Sequence, residues 1–79
     1  YPNMIIEISG HTDIDGDDEY NLQLSTRRAK AVVDYLIIEG IYPHRTLYNG
    51  YGSSRPIAEN NTVLGKQLNR RVEFLILKK

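Results

Sequence analysis

The sequence contains no cysteine, and its formal net charge at pH 7 is zero. The absence of cysteine excludes disulfides and thiolate-bound zinc, but it leaves the redox compartment open. A chain without net charge has no strong general attraction for nucleic acid or for an anionic membrane surface. No apolar run is long enough to cross a bilayer, so we expect no direct membrane insertion by this segment.

The chain is long enough for one domain, because 79 residues can enclose only a modest hydrophobic core. Its hydrophobic share of 41% and its charged share of 25% are ordinary for a globular protein. The sequence begins at Tyr1-Pro2 without an initiator methionine. We therefore expect residues 1–79 to be a single domain taken from a longer protein.

Hydrophobic periodicity predicts three strands and two helices. A β-branched run that stops at Gly10 indicates a buried first strand, and Asp17 or Asp18 can cap the long helix that follows. Gly40 and Pro43 are typical of the end of that helix. The predicted elements are a strand at 4–9, a helix at 18–39, a strand at 45–51, a short helix at 62–68 and a strand at 71–77.

The long helix is predicted to cover one face of a sheet. At 3.6 residues per turn its apolar side chains form one stripe. A strand, a crossover helix and a second strand of these lengths predict a parallel pair. The fold class is therefore α/β (α+β), with helices layered on a sheet. The stripe comprises Leu22, Ala29, Val32, Val33, Leu36 and Ile37.

Asp13 and Arg28 are the residues whose positions suggest chemistry. Asp13 lies in the loop after the first strand, and Arg28 lies on the helix, whose side chains lean toward its N-terminus and hence toward that loop. An anion and a cation on one rim suit a zwitterion such as an amino acid, with the guanidinium holding a carboxylate. The alternative is a structural module in which Asp13 and Arg28 form an internal salt bridge.

Other chemical signals are weak. An EF-hand loop starting at Asp13 would need glycine at its sixth position and glutamate at its twelfth, but these are Asp18 and Leu24. His11 is interpreted as a histidine hydrogen-bonded within the turn. No serine lies in a nucleophile motif. We therefore expect no metal, no cofactor and no enzymatic activity.

Three blocks of the sequence resemble the OmpA-like C-terminal domain, a family that includes porin tails, peptidoglycan-associated lipoproteins and flagellar stator proteins. The resemblance covers nearly the whole chain without gaps. Its blocks are Gly10-His11-Thr12-Asp13, then Tyr20-Asn21-x-x-Leu24-Ser25-x-x-Arg28-Ala29, and finally Gly50-Tyr51-Gly52 with Asn69-Arg70-Arg71-Val72-Glu73.

The resemblance implies non-covalent binding of peptidoglycan through the diaminopimelate residue of its stem peptide. The family's binding aspartate and arginine correspond to Asp13 and Arg28, which would hold the distal ammonium and carboxylate of diaminopimelate. The implied role is a cell-wall anchor in the periplasm, attached to the outer membrane through a parent protein. Four further residues would line or brace the pocket: Thr12, Asn21, Leu22 and Arg70. Four others are expected to be scaffold: His11, Ser25, Asn69 and Arg71.

The chain departs from the family at its start, because the family domain begins with a strand and a helix that this sequence lacks. The family sheet has the order 1-4-2-3, with strand 4 antiparallel to the others. Without strand 1, residues 71–77 become an apolar open edge, and open edges pair with other chains. We therefore expect possible self-association through Arg71 to Leu77.

Overall fold

The computed structural model describes residues 3–78, so Tyr1, Pro2 and Lys79 of the predicted domain lie outside the described residues. Every predicted strand and helix is present, and each end agrees with its prediction to within one residue. In chain order the elements are β1 (Ile5–Gly10), α1 (Asp18–Ile38), a 3-10 turn (Pro43–Arg45), β2 (Thr46–Gly50), α2 (Val63–Asn69) and β3 (Val72–Lys78).

The ends of α1 follow from local chemistry. The Asp17 carboxylate accepts a hydrogen bond from the backbone N–H of Tyr20, and Asp18 and Glu19 place negative charge in the first turn. At the other end, Gly40 has a φ of 108°, a conformation that costs glycine little and other residues more. Both signals lie within a few residues of a helix end, which is why the sequence predicts where α1 begins and ends.

The three strands form one mixed sheet in the order β2-β1-β3. β1 pairs in parallel with β2, so that Ile8 lies beside Tyr48, and antiparallel with β3, so that Ile8 also lies beside Phe74. This is the order expected when the first strand is omitted from 1-4-2-3. The α+β fold class and the mixed sheet are confirmed.

The core lies between α1 and the sheet. Ile8 and Ala29 are fully buried and Val33 is 5% exposed, so the centre of β1 packs against the middle of α1. The small size of this cluster agrees with the modest core expected for the chain length. The hydrophobic residues packed around it are Ile6, Val32, Leu36, Ile37 and Val72.

The buried stripe of α1 differs from the predicted one. It consists of Asn21, Ser25, Ala29 and Val33, spaced four residues apart, whereas Leu22 is 48% exposed. The prediction that Leu22 faces the sheet was therefore wrong. An apolar pattern could not identify the first two positions, because they are buried by hydrogen bonds to loops.

β3 lies at an open edge of the sheet, as expected. Phe74 and Ile76 are 59% and 56% exposed, although they share the sheet face on which Ile8 contacts α1. Leu77 on the opposite face is 53% exposed. An apolar edge strand of this kind offers unpaired backbone groups and side chains to another chain, and self-association stays a prediction.

Candidate functional site

The site is built on the loop between β1 and α1. Gly10 ends β1 where the helix approaches so closely that a Cβ would collide with the carbonyl oxygen of Ser25. The backbone N–H of His11 donates to the carbonyl oxygen of Arg71 at 2.8 Å, and the N–H of Thr12 donates to that of Gly52 at 2.8 Å. These contacts fix the direction in which the chain leaves the strand.

Asp13 is a buried carboxylate with a hydrogen-bond partner at each oxygen. Its side chain is 8% exposed, Oδ1 accepts the backbone N–H of Asp15 at 2.9 Å, and Oδ2 accepts Nη1 of Arg70. Burial raises the pKa of Asp13, but the Asp15 amide and the Arg70 guanidinium outweigh it and hold the pKa below its ordinary value. The site therefore presents a fixed anion at neutral pH.

Thr12 and Asn21 brace the loop from its two sides. Thr12 Oγ1 donates to the carbonyl oxygen of Asp13 at 2.9 Å. The Asn21 side-chain amide donates to the carbonyls of Asp15 at 2.9 Å and Asp13 at 3.4 Å. Thr12 and Asn21 are 5% and 4% exposed, so both hold the backbone around Asp13 from within the structure.

Arg28 is exposed on α1. Its guanidinium makes no hydrogen bond or ion pair with the described residues 3–78, and the partner of Asp13 is Arg70. The predicted alternative of an internal Asp13–Arg28 salt bridge is therefore wrong. The reason is geometric: Arg70 follows α2 directly and reaches the loop, whereas Arg28 lies seven residues beyond Asn21 on α1.

The acidic loop is held to α2 by two ion pairs rather than one. Arg70 binds Asp13, and four residues earlier Lys66 Nζ lies 3.1 Å from Oδ1 of Asp15. Asp15 is 62% exposed, so its pair is weakly stabilising, but it adds positive charge beside the loop. Lys66 was not among the predicted site residues, because its contact joins residues 51 positions apart.

Leu22 lies apart from the other predicted site residues. It lines an open pocket of about 390 Å³ together with Asp18, Tyr51 and the turn at residues 52–54. Thr12, Asp13, Asn21, Arg28 and Arg70 do not line this pocket. The structure thus brings Asp13 together with Thr12, Asn21 and Arg70, and it places Leu22 and Arg28 on the exposed surface of α1.

Ser25 links α1 to the turn at residues 52–54 that lines this pocket. Its hydroxyl is fully buried, donates to the carbonyl of Leu22 at 2.9 Å and accepts the backbone N–H of Gly52 at 2.9 Å. The predicted scaffold role is visible here, since Ser25 ties the turn after β2 to the first half of α1.

His11 is also part of the scaffold, but it is not hydrogen-bonded within the turn as we predicted. Its ring is 2% exposed, stacks on Tyr51 with centroids 5.5 Å apart, and has Nε2 3.5 Å from Oε1 of Glu73. In the described part of the chain neither ring nitrogen has a hydrogen-bond partner. Burial and the nearby Arg71 guanidinium lower the pKa of His11 despite Glu73, so the ring is neutral at pH 7.

A polar network on the face of the sheet opposite α1 was not predicted from the sequence. Glu7 is 9% exposed and accepts the Tyr51 hydroxyl at 2.7 Å and the Asn49 amide at 3.3 Å, while the Arg55 guanidinium lies 3.8 Å from the Tyr51 ring centroid. The available signal was Glu7 itself, a lone acid inside an apolar strand. This network holds the segment that carries Tyr51 against the sheet.

The described residues contain no group of three or more histidine, cysteine, aspartate or glutamate side chains placed to hold a metal ion. Across residues 3–78, no helix combines the length and hydropathy needed to cross a bilayer. Around Asp13 the site offers ion pairing and hydrogen bonding, and Arg28 offers an exposed guanidinium.

The sequence model of the OmpA family matches residues 1–70 of the chain. The chain is similar to outer membrane porin F of Pseudomonas fluorescens, with 49% identity over 73 residues that cover 92% of this chain and 22% of that protein. It is also similar to peptidoglycan-binding protein ArfA of Mycobacterium tuberculosis, with 41% identity over 75 residues, 95% of this chain and 23% of that protein.

Among solved structures, the peptidoglycan-associated lipoprotein from Burkholderia pseudomallei superposes with a TM-score of 0.91 at 32% identity. The superposition covers 95% of this chain and 64% of that chain. By contrast, the chain spans only about a fifth of the length of the two curated relatives.

Proposed function

The chain belongs to the OmpA family, and on this premise we propose that it binds peptidoglycan non-covalently and acts as an anchor without catalysing a reaction. The names of its relatives support this function, since one is a peptidoglycan-binding protein and another a peptidoglycan-associated lipoprotein. Similarity to each covers 95% of the chain.

The observation that carries the proposal is the fixed anion at Asp13. A buried carboxylate whose pKa is held low remains charged at neutral pH and can receive a ligand ammonium group. Arg28 supplies an exposed cation on the same helix that Asn21 joins to the loop. Together they can bind an ammonium and a carboxylate.

We propose that the ligand is the diaminopimelate residue of the stem peptide. Its distal carbon bears both an ammonium and a carboxylate, whereas the lysine found in its place in other stem peptides has no distal carboxylate. Asp13 would hold the ammonium and Arg28 the carboxylate, with Thr12 and Asn21 bracing the loop. Because Arg28 is exposed, binding should be modest and should weaken as salt is added.

The proposed location is the periplasm, with attachment to the outer membrane through a parent protein. The similarity to outer membrane porin F supports this location. We propose further that residues 1–79 form one domain of that parent. No nucleic acid partner is proposed.

A structural role for Asp13 is the competing function, and the Asp13–Arg70 ion pair favours it. In that case the carboxylate would serve only to join the loop to the end of α2. The two functions differ in what a ligand does to the resonances of the loop.

The test is a titration of the isotope-labelled chain with a diaminopimelate-containing stem peptide, beside its lysine counterpart, followed by amide chemical shifts. We expect saturable shifts across residues 10–28 with the first peptide and weak shifts with the second. Asp13→Asn and Arg28→Ala should each abolish saturation, whereas Lys30→Gln, which removes a cation from the exposed Lys30–Asp34 pair, should not. A folded chain without saturable shifts would refute the proposed function.

A further inference from the structure

The carboxylate that the proposed ligand needs is already occupied by another cation. Oδ1 of Asp13 accepts the Asp15 N–H, and Oδ2 accepts the guanidinium of Arg70. An ammonium group and a guanidinium make the same charge-assisted hydrogen bond to a carboxylate oxygen. Two cations at one oxygen also repel each other, so ligand binding and the Arg70 contact oppose one another.

The two partners of this ion pair differ in how freely they can move. The Asp13 side chain is 8% exposed and is fixed by the Asp15 amide, whereas the Arg70 side chain is 42% exposed and projects from the C-cap of α2. The guanidinium is already partly in water, and a ligand ammonium would replace its charge beside the buried carboxylate, so the exchange leaves no buried anion without a cation. Arg70 can therefore leave for water at little cost, while Asp13 stays in place.

From this asymmetry, and resting on the proposed function, we infer that Arg70 is an internal competitor that occupies Oδ2 of Asp13 and is displaced by the ligand ammonium. Arg70 thus acts on this chain's own carboxylate and contacts no ligand group. It is a specificity residue, because only a ligand that brings a cation of its own can replace it. Arg28 has no partner to release before it binds a ligand carboxylate, since it forms no ion pair with the described residues 3–78.

The exchange predicts the sign of an Arg70 substitution. Arg70→Gln removes the competing charge, so the diaminopimelate peptide should bind up to about fivefold more tightly, the factor that corresponds to about 1 kcal/mol. Arg70→Lys keeps the charge and should bind nearly as the wild type does. A brace that merely positions Asp13 would give the opposite sign, because its loss would weaken binding.

The experiment measures affinity by calorimetry for the wild type, Arg70→Gln, Arg70→Lys and the control Lys30→Gln. A second titration, by NMR, follows the Arg70 Nε–H resonance of the wild type as the same peptide is added. A third uses that peptide with its distal amine acetylated. We expect tighter binding by Arg70→Gln, a shift of the Arg70 resonance toward that of a solvated arginine, and no such shift with the acetylated peptide.

Equal or weaker binding by Arg70→Gln, or an Arg70 resonance that does not move at saturation, would overturn the inference and leave the proposed function standing. If Arg70→Gln fails to fold, the wild-type Arg70 resonance and the titration with the acetylated peptide still test whether the ligand ammonium displaces Arg70. If the folded wild type does not saturate at all, the proposed function fails, and the competition fails with it.

Discussion

Asn69 offers the sharpest test of how this small domain is held together. Its side chain is fully buried and makes four hydrogen bonds to the segment before α2. Oδ1 accepts the backbone N–H groups of Ile57 at 2.8 Å and Ala58 at 3.0 Å. Nδ2 donates to the Ala58 carbonyl at 3.0 Å and to Oδ1 of Asn60 at 2.8 Å.

The substitution Asn69→Ala removes all four bonds and leaves three backbone groups and the Asn60 side chain without this partner. At about 1 kcal/mol net for each bond, the free energy of unfolding should fall by about 4 kcal/mol. A domain of this length has a total of about 4–12 kcal/mol. The variant should therefore be partly unfolded at room temperature or close to it.

The assay is urea denaturation followed by far-ultraviolet circular dichroism. With a slope of about 1.5 kcal/mol per molar urea, the midpoint should fall by about 2–3 M. Asn69→Asp keeps the two accepted bonds and loses the donated ones, so its midpoint should lie between those of the wild type and Asn69→Ala. Gln67→Ala, on the exposed side of the same helix, should leave the midpoint almost unchanged.

A loss below about 1 kcal/mol for Asn69→Ala would contradict a stabilising role for these four bonds. It would mean that the segment at residues 57–60 is held by other contacts, or that water replaces the amide without cost. Either outcome would also remove Asn69 from the scaffold residues that the resemblance implies.

Two further predictions concern His11 and the edge strand. The folded chain holds the pKa of His11 below its ordinary 6.5, through burial and the cations Arg71 and Arg55 against the anion Glu73. The unfolded chain therefore takes up a proton first as the pH falls, so stability present above pH 6.5 should be lost below it. His11→Phe should flatten a plot of the urea midpoint against pH between about pH 7.5 and about pH 5. An unchanged slope would contradict this prediction. The exposed apolar edge β3 should pair with a second copy, so sedimentation should show concentration-dependent dimers that Ile76→Lys reduces; a monomer at high concentration would count against it.

The sequence predicted the elements well because their signals are local. Asp17 caps α1, Gly40 follows its end, and Thr62 Oγ1 caps α2 by accepting the backbone N–H of Gly65 at 3.0 Å, so each signal acts within one helical turn of its boundary. The order of the strands was implied by the family resemblance, and the structure confirms it.

The buried side of α1 could be predicted only in part. Ala29 and Val33 follow from hydrophobic periodicity, and both are buried. Asn21 and Ser25 are buried because loops bring carbonyl and N–H groups to them, the first at residues 13–15 and the second at Gly52. The prediction for Leu22 was wrong for the same reason, because its apolar side chain alone would assign it to the core.

The secondary structure, the family and the charged residues around the site could all be read from the amino-acid sequence. Which arginine pairs with Asp13 depends on the folded chain. Arg28 lies 15 residues from Asp13 and Arg70 lies 57 residues from it, yet the nearer one is open and the farther one is bound. Ion pairs depend on distance in space, and the pairing of β3 with β1, which brings the residues after α2 beside the loop, sets that distance.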